Sequence, residues 1–170
     1  ITGTIIKVKS KNYTSKERSI TIEDLSINGR VVNGTKTYTF TKSNANGNPE
    51  MTGSVNITVE TEDGTKTKVG TRTIEVTAGG DTDTHMDDEK TITGSSEYTN
   101  KEGETLTVNI TTSLVKPAEC RYIASGVKEY TREAGTTIID FGDGACDNVA
   151  TKTGPDGTVT EVKLRKKRKR

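Results

Sequence analysis

Thr105-Leu106-Thr107-Val108-Asn109-Ile110-Thr111 settles the fold class. Leu106, Val108 and Ile110 alternate with polar residues over seven positions, so one face is apolar and the other is not. That is the period of a half-buried strand, since a helix would repeat every three to four residues. Thr35-Lys36-Thr37-Tyr38-Thr39-Phe40-Thr41 has the same form, with Lys36, Tyr38 and Phe40 on one face and threonines on the other. Each stretch follows a glycine. The signal recurs as Asn33-Gly34-Thr35, Asp63-Gly64-Thr65, Glu102-Gly103-Glu104-Thr105, Ala134-Gly135-Thr136 and Asp156-Gly157-Thr158. Asn-Gly and Asp-Gly tolerate the positive φ that tight hairpins need, so these predict a run of β-hairpins. A second scrap, Ile1-Thr2-Gly3-Thr4, Met51-Thr52-Gly53-Ser54 and Ile92-Thr93-Gly94-Ser95, reads as a reused way of starting a strand. Its uneven spacing argues against a solenoid repeat.

Composition agrees. The 170 residues include thirty-two threonines, thirteen isoleucines and thirteen valines but only four leucines. β-Branched side chains lose χ1 freedom in a helix and pack well on a pleated sheet, which disfavours a helical bundle. The hydrophobic share is 28%, below what a thick core needs. No apolar run approaches the roughly 18 residues that cross a bilayer. The expected fold is all-β: a long antiparallel meander of about eleven strands, twisted or curled into a sandwich-like or rolled sheet, because an open sheet of that size tends to curl or split. Residues 1–164 read as one elongated domain. The glycine-rich and then acidic Thr77–Lys90 stretch is a long loop or an internal boundary. In 117–135 a helical stripe of Cys120, Ile123, Ala124, Val127 and Tyr130 competes with a strand bulged near Gly126, and the flanking strands favour the latter.

The net charge of +1 conceals an asymmetry: residues 165–170 carry six positive charges, leaving a mildly acidic body. Such a tail either attracts anions or stays solvated and keeps a sheet edge soluble, and the second reading is the simpler. No aromatics interleave it, which disfavours nucleic acid.

Chemistry-bearing residues are few. Cys120 and Cys146 are the only cysteines, so they form either a disulfide or two buried thiols. A hairpin of 119–131 with 135–148 places Cys120 opposite Asn148 and Cys146 opposite Tyr122, and a bulge near Gly126 would bring the two together. Asp140, Asp143, Asp147 and the Asn148 carbonyl are hard oxygen ligands that suit calcium on a glycine-turned loop. The alternative is a set of Asp-Gly turns in which each carboxylate bonds its own backbone. Asp81, Asp83, His85, Asp87 and Asp88 are a weaker metal candidate that reads first as solvated charge. His85 is the only histidine, and no nucleophile elbow, HExxH or phosphate loop is present. A paired-carboxylate hydrolase is the least favoured reading. The Asn-x-Ser/Thr triplets at Asn12, Asn33, Asn56 and Asn109 are expected by chance in so threonine-rich a chain.

Cys120-Arg121-Tyr122-Ile123, Ser125-Gly126, Ile139-Asp140-Phe141-Gly142-Asp143-Gly144, Cys146-Asp147-Asn148 and a closing Leu164-Arg165 together resemble the ends of a group of uncharacterised exported β-rich bacterial proteins, often classed as lipoproteins. Asn28-Gly29 and Val32-Asn33-Gly34-Thr35-Lys36-Thr37 extend the resemblance toward the N-terminus. It implies an all-β fold and an exported location (periplasm, outer-membrane surface or extracellular); the sequence departs from the group in showing no signal sequence or lipid-attachment cysteine, so that a lipid anchor would lie upstream of Ile1. It implies no reaction. The functional expectation is a non-enzymatic envelope or surface module that binds glycan or envelope protein through a broad threonine-rich face, without a cofactor. The alternative is a structural or adhesin-type subunit assembling through β-edges.

Overall fold

A computed structural model describes residues 1–12 and 14–164; the basic run 165–170 lies outside the described residues. Eleven strands follow one another: β1 (Thr2–Lys11), β2 (Ser15–Ile27), β3 (Arg30–Thr41), β4 (Glu50–Thr61), β5 (Gly64–Ala78), β6 (Glu89–Thr99), β7 (Thr105–Lys116), β8 (Ser125–Arg132), β9 (Gly135–Asp143), β10 (Val149–Thr153) and β11 (Val159–Lys163). All belong to one sheet in chain order, and every pairing is antiparallel. The substantial contacts of each strand are with its chain neighbours. Of the arrangements left open by the sequence, the chain adopts the single sheet. Apolar residues are too few to fill the space between two stacked layers, which needs an inward face on each.

Burial is unevenly divided. Ile92, Val108, Leu114, Cys120, Ala124 and Ala150 form the buried apolar set, and Asp88 is buried as well. All of them lie from the start of β6 onward, Asp88 being the residue just before that strand. Among the described residues, β1–β5 contribute no fully buried side chain. That half is held by its backbone ladder and by cross-strand side-chain pairs. Thr37 and Ser54 hydroxyls lie 2.6 Å apart, Thr52 and Thr73 3.2 Å, and, further along the sheet, Thr131 and Thr136 3.0 Å. Each pair is directly opposed in the register.

Four of the glycine signals lie at hairpin turns, but Asn33-Gly34 does not. The β2–β3 turn is Asn28-Gly29, with φ of 50° and 75°, as a two-residue type I′ turn requires. Gly34 sits inside β3 opposite a bulge in β2, where the register shifts between Ile22 and Leu25. The bulge is fastened by Asn33, whose Oδ1 accepts from the Asp24 N–H at 2.6 Å and whose Nδ2 donates to Asp24 Oδ1 at 3.1 Å. Of the two Asn-Gly pairs close together in the chain, the β2–β3 pairing places the first at the turn and the second within the strand. The repeated Ile/Met-Thr-Gly scrap likewise serves more than strand starts. Gly3 and Gly94 sit at register breaks in β1 and β6, whereas Gly53 leaves room for the Tyr38 ring across the strand.

The Lys42–Pro49 connection is organised around one carboxylate. Glu75 Oε1 accepts from the side-chain amides of Asn44, Asn46 and Asn48 at 3.1, 3.0 and 2.9 Å. Hydrogen bonds from Asn46, Asn44 and Asn48, in that order, hold the Glu75 carboxyl below the usual carboxylate range. Thr77–Lys90 connects strands that pair directly on either side of it.

A Cβ on Gly34 would collide with the Asn56 carbonyl oxygen at φ +136°, whereas one on Gly29 meets nothing within 4 Å. Gly34→Ala is therefore expected to cost at least about 2 kcal/mol and Gly29→Ala about 1 kcal/mol, read as midpoints of urea unfolding. Equal losses would contradict this placement of the turn. For Glu75, a depressed folded pKa means that its contribution is present above the unfolded value and is lost as pH falls through the folded one. Glu75→Gln is expected to lower Tm at neutral pH and to flatten the fall of Tm between about pH 5 and pH 2; an unchanged acid limb would exclude the triple-asparagine clasp.

Candidate functional site

Register assigns every strand residue to one of two faces, because directly paired residues point the same way. One row runs Lys11, Lys16, Phe40, Met51, Ile74, Ile92 and Leu114 across β1–β7; the next runs Lys9, Arg18, Tyr38, Gly53, Arg72 and Gly94. Followed through all eleven strands, the lysines and arginines fall on this face, with Lys163 the one strand exception. The register-paired acidic residues all fall on the other face, including Glu17, Glu50, Glu60, Glu75, Glu97, Glu129, Asp140 and Glu161. The sheet is thus a two-sided plate. One side carries the cations, the aromatics and most of the aliphatics; the other carries threonines and carboxylates with exposed aliphatics such as Ile6, Val8 and Val69 among them.

The two sides are not equally satisfied. On the threonine side, Glu75 has its three asparagines, Glu50 accepts from Asn44 at 3.0 Å and Glu89 from Thr77 at 3.1 Å. On the cationic side, Lys90 alone has a carboxylate within ion-pair distance among the described residues, Asp88 at 3.0 Å. Three lysines instead stand over aromatic rings: Lys16 over Phe40 at 5.9 Å, Lys68 over Tyr98 at 4.9 Å and Lys128 over Tyr130 at 5.1 Å. Hydrogen bonding to Lys68 is the main influence holding the Tyr98 phenol below its ordinary value, and the charges of Lys68 and Lys128 add to it.

Two shallow depressions lie on the cationic face. The first, about 300 Å³, is formed against Lys9, Lys11, Lys16, Arg18, Tyr38, Phe40 and Met51. The second, about 370 Å³, lies against Lys66, Lys68, Tyr98, Leu106 and Arg132, with one carboxylate, Glu104, also lining it. Tyr38, Phe40 and Met51 are 39%, 39% and 37% exposed. The alternation of Lys36, Tyr38 and Phe40 is plain in the sequence, yet the sequence alone pointed to the threonine side for recognition. Lysines at every second position (Lys7, Lys9 and Lys11; Lys66 and Lys68) were the available signal. Their convergence on one face depends on register, which one strand alone does not contain.

The other sequence candidates lie at the C-terminal end. Cys120 and Cys146 form a disulfide with Cα atoms 5.5 Å apart. The paired segments are shorter than expected. Residues 117–124 turn rather than extend, β8 begins at Ser125, and the bulge near Gly126 is a register shift between Ser125 and Val127. The cysteines meet from the irregular segments flanking the β8–β9 hairpin, where the chain is free of ladder constraints. In the acidic turn, Asp140, Asp143 and Asp147 each accept a hydrogen bond from the backbone N–H two residues on, at 2.9, 3.3 and 2.9 Å. The Asn148 carbonyl accepts from the Leu164 N–H. These oxygens shape turns around the disulfide. In the other acidic loop Asp88 turns inward to Lys90 with His85 Nδ1 at 3.4 Å, and the Thr82 hydroxyl donates to Asp87. Among the described residues, no group of three or more histidine, cysteine, aspartate or glutamate side chains is placed to hold a metal ion, and no helix is long and apolar enough to cross a membrane.

No protein-family model matches the chain, and neither a curated protein nor a solved structure is significantly similar to it.

The disulfide spans 26 residues and fastens the best-buried part of the sheet. Closing a loop of that length restricts the unfolded chain, so Cys120→Ala with Cys146→Ala is expected to cost about 3 kcal/mol. Denaturant unfolding measures the loss, and intact mass with and without reductant checks the bond. Two alkylatable thiols in the unreduced native protein would overturn it.

Proposed function

We propose that the chain is a non-enzymatic envelope or surface module, working without a cofactor, that binds its partner through a broad β face. The observation carrying this reading is the charge division of a one-layer sheet. A face of aliphatics, aromatics and cations, on which Lys90 alone has a carboxylate within ion-pair distance among the described residues, is chemistry suited to a partner, whereas a sheet meant only to be soluble would intersperse both signs. The binding side is therefore the cationic one rather than the threonine side. An exported location is supported by the disulfide, since such bonds persist in oxidising compartments, and by the C-terminal resemblance to exported bacterial proteins. The residues of that resemblance surround the disulfide.

The alternative, assembly through β-edges, has a specific feature in its favour: β1 is a ten-residue edge strand exposed throughout, and unpaired edges invite addition of a strand. Lys7, Lys9 and Lys11 on that edge oppose it, because lysine is a common edge blocker.

Light scattering over about a hundredfold concentration range, with retention of the purified protein on isolated bacterial envelope material, separates the two. A constant monomer mass with retention is expected. Retention should fall by about tenfold in Lys9→Glu/Arg18→Glu and persist in Glu97→Lys. Concentration-dependent oligomers abolished by Val8→Pro would replace the binding-module reading with edge assembly.

A further inference from the structure

Building on that reading, we propose that the β1–β4 end of the cationic face is a docking surface for a linear acidic polysaccharide, with Lys9, Lys11, Lys16 and Arg18 holding its anionic groups and Tyr38 and Met51 receiving the apolar faces of its sugar rings. Lys9 directly opposes Arg18, and Lys11 directly opposes Lys16. Like charges facing each other across a ladder destabilise it. Adjacent strands lie about 4.8 Å apart and same-face neighbours along a strand about 6.8 Å, so Lys7, Lys9, Lys11, Lys16 and Arg18 crowd into a patch of about 5 by 14 Å. None has a carboxylate within ion-pair distance among the described residues. Glu17, between Lys16 and Arg18 in the chain, borders the depression but belongs to the opposite face by register. A repulsive cluster of this kind is what a bound polyanion relieves.

Mixed chemistry in the patch selects among polyanions. The depression there places Tyr38, Phe40 and Met51 beside the cations, each more than a third exposed. An acidic sugar offers both an anionic group and a carbon-rich ring face. Nucleic acid fits less well, because stacking needs open aromatic faces and the Phe40, Tyr98 and Tyr130 rings are capped by lysines. The second depression, with Lys66, Lys68 and Arg132 on the same face, extends the surface along the sheet.

The test uses the full chain and soluble polygalacturonate, with dextran of similar length as the uncharged control. Titration calorimetry is expected to show binding to polygalacturonate that weakens steeply with salt, and none to dextran. Lys11→Gln/Arg18→Gln should weaken binding by about tenfold or more while leaving Tm unchanged or raised, because the facing like charges are gone. Lys163→Gln, on the other face, should bind as the parent does. A binding loss accompanied by an equal loss of fold in the β1–β2 variant would overturn the assignment of these residues. Stronger binding to phosphatidylglycerol vesicles or to single-stranded DNA than to polygalacturonate would replace the polysaccharide with that partner. Retention on envelope material without polygalacturonate binding would defeat this inference alone. Loss of both would defeat the binding-module reading with it.

Discussion

The backbone ladder is what this protein depends on. In a sandwich or barrel a strand that loses hydrogen bonds is still pressed against a core; here it has only its two neighbours. β1–β5 lack a fully buried side chain, so hydrophobic burial cannot stabilise them to the extent that it does in most folded domains. Stability then rests on long, nearly unbroken pairings, such as the twelve-residue β4 matched throughout its length to β5. Threonine suits this arrangement. It is β-branched, favours extended backbone and places a hydroxyl where a facing hydroxyl can reach it.

The same constraint explains the glycines and the asparagines. A one-layer sheet has no core to absorb an irregularity, so a bulge must be accommodated within the ladder. Gly34 takes a backbone shape that other residues rarely adopt, and Asn33 ties the bulged Asp24 amide. Asn44, Asn46 and Asn48 do the same for a connection, satisfying polar groups against Glu75. The disulfide works at the opposite end, where strands shorten to five residues in β10 and β11 and the ladder alone is weakest. The buried residues Leu114, Cys120, Ala124 and Ala150 all belong to this C-terminal part of the chain.

A plate with two uncovered faces also has two surfaces available for recognition, and here they differ in kind. The threonine side ties three of its carboxylates, Glu50, Glu75 and Glu89, into internal hydrogen bonds. The other side leaves cations beside exposed Tyr38, Phe40 and Met51, with like charges facing one another on β1 and β2. Arrangements that cost stability without an internal return are where function is usually found.

Strand identity, strand number and most hairpin turns were legible in the chain itself, because alternation and Asn-Gly or Asp-Gly turns are local properties. The cysteine pair was legible as a candidate, since two cysteines have one possible intramolecular partner each. Three things were not. Which of Asn28-Gly29 and Asn33-Gly34 forms the turn is fixed by the register of β2 with β3. The choice of one layer over two depends on whether faces far apart in the chain find each other. The cationic face exists only once every strand's register is known, because a slip of one residue would move a strand's lysines to the other side. Local sequence determined which residues alternate; the ladder decided which alternate sets add up to a surface.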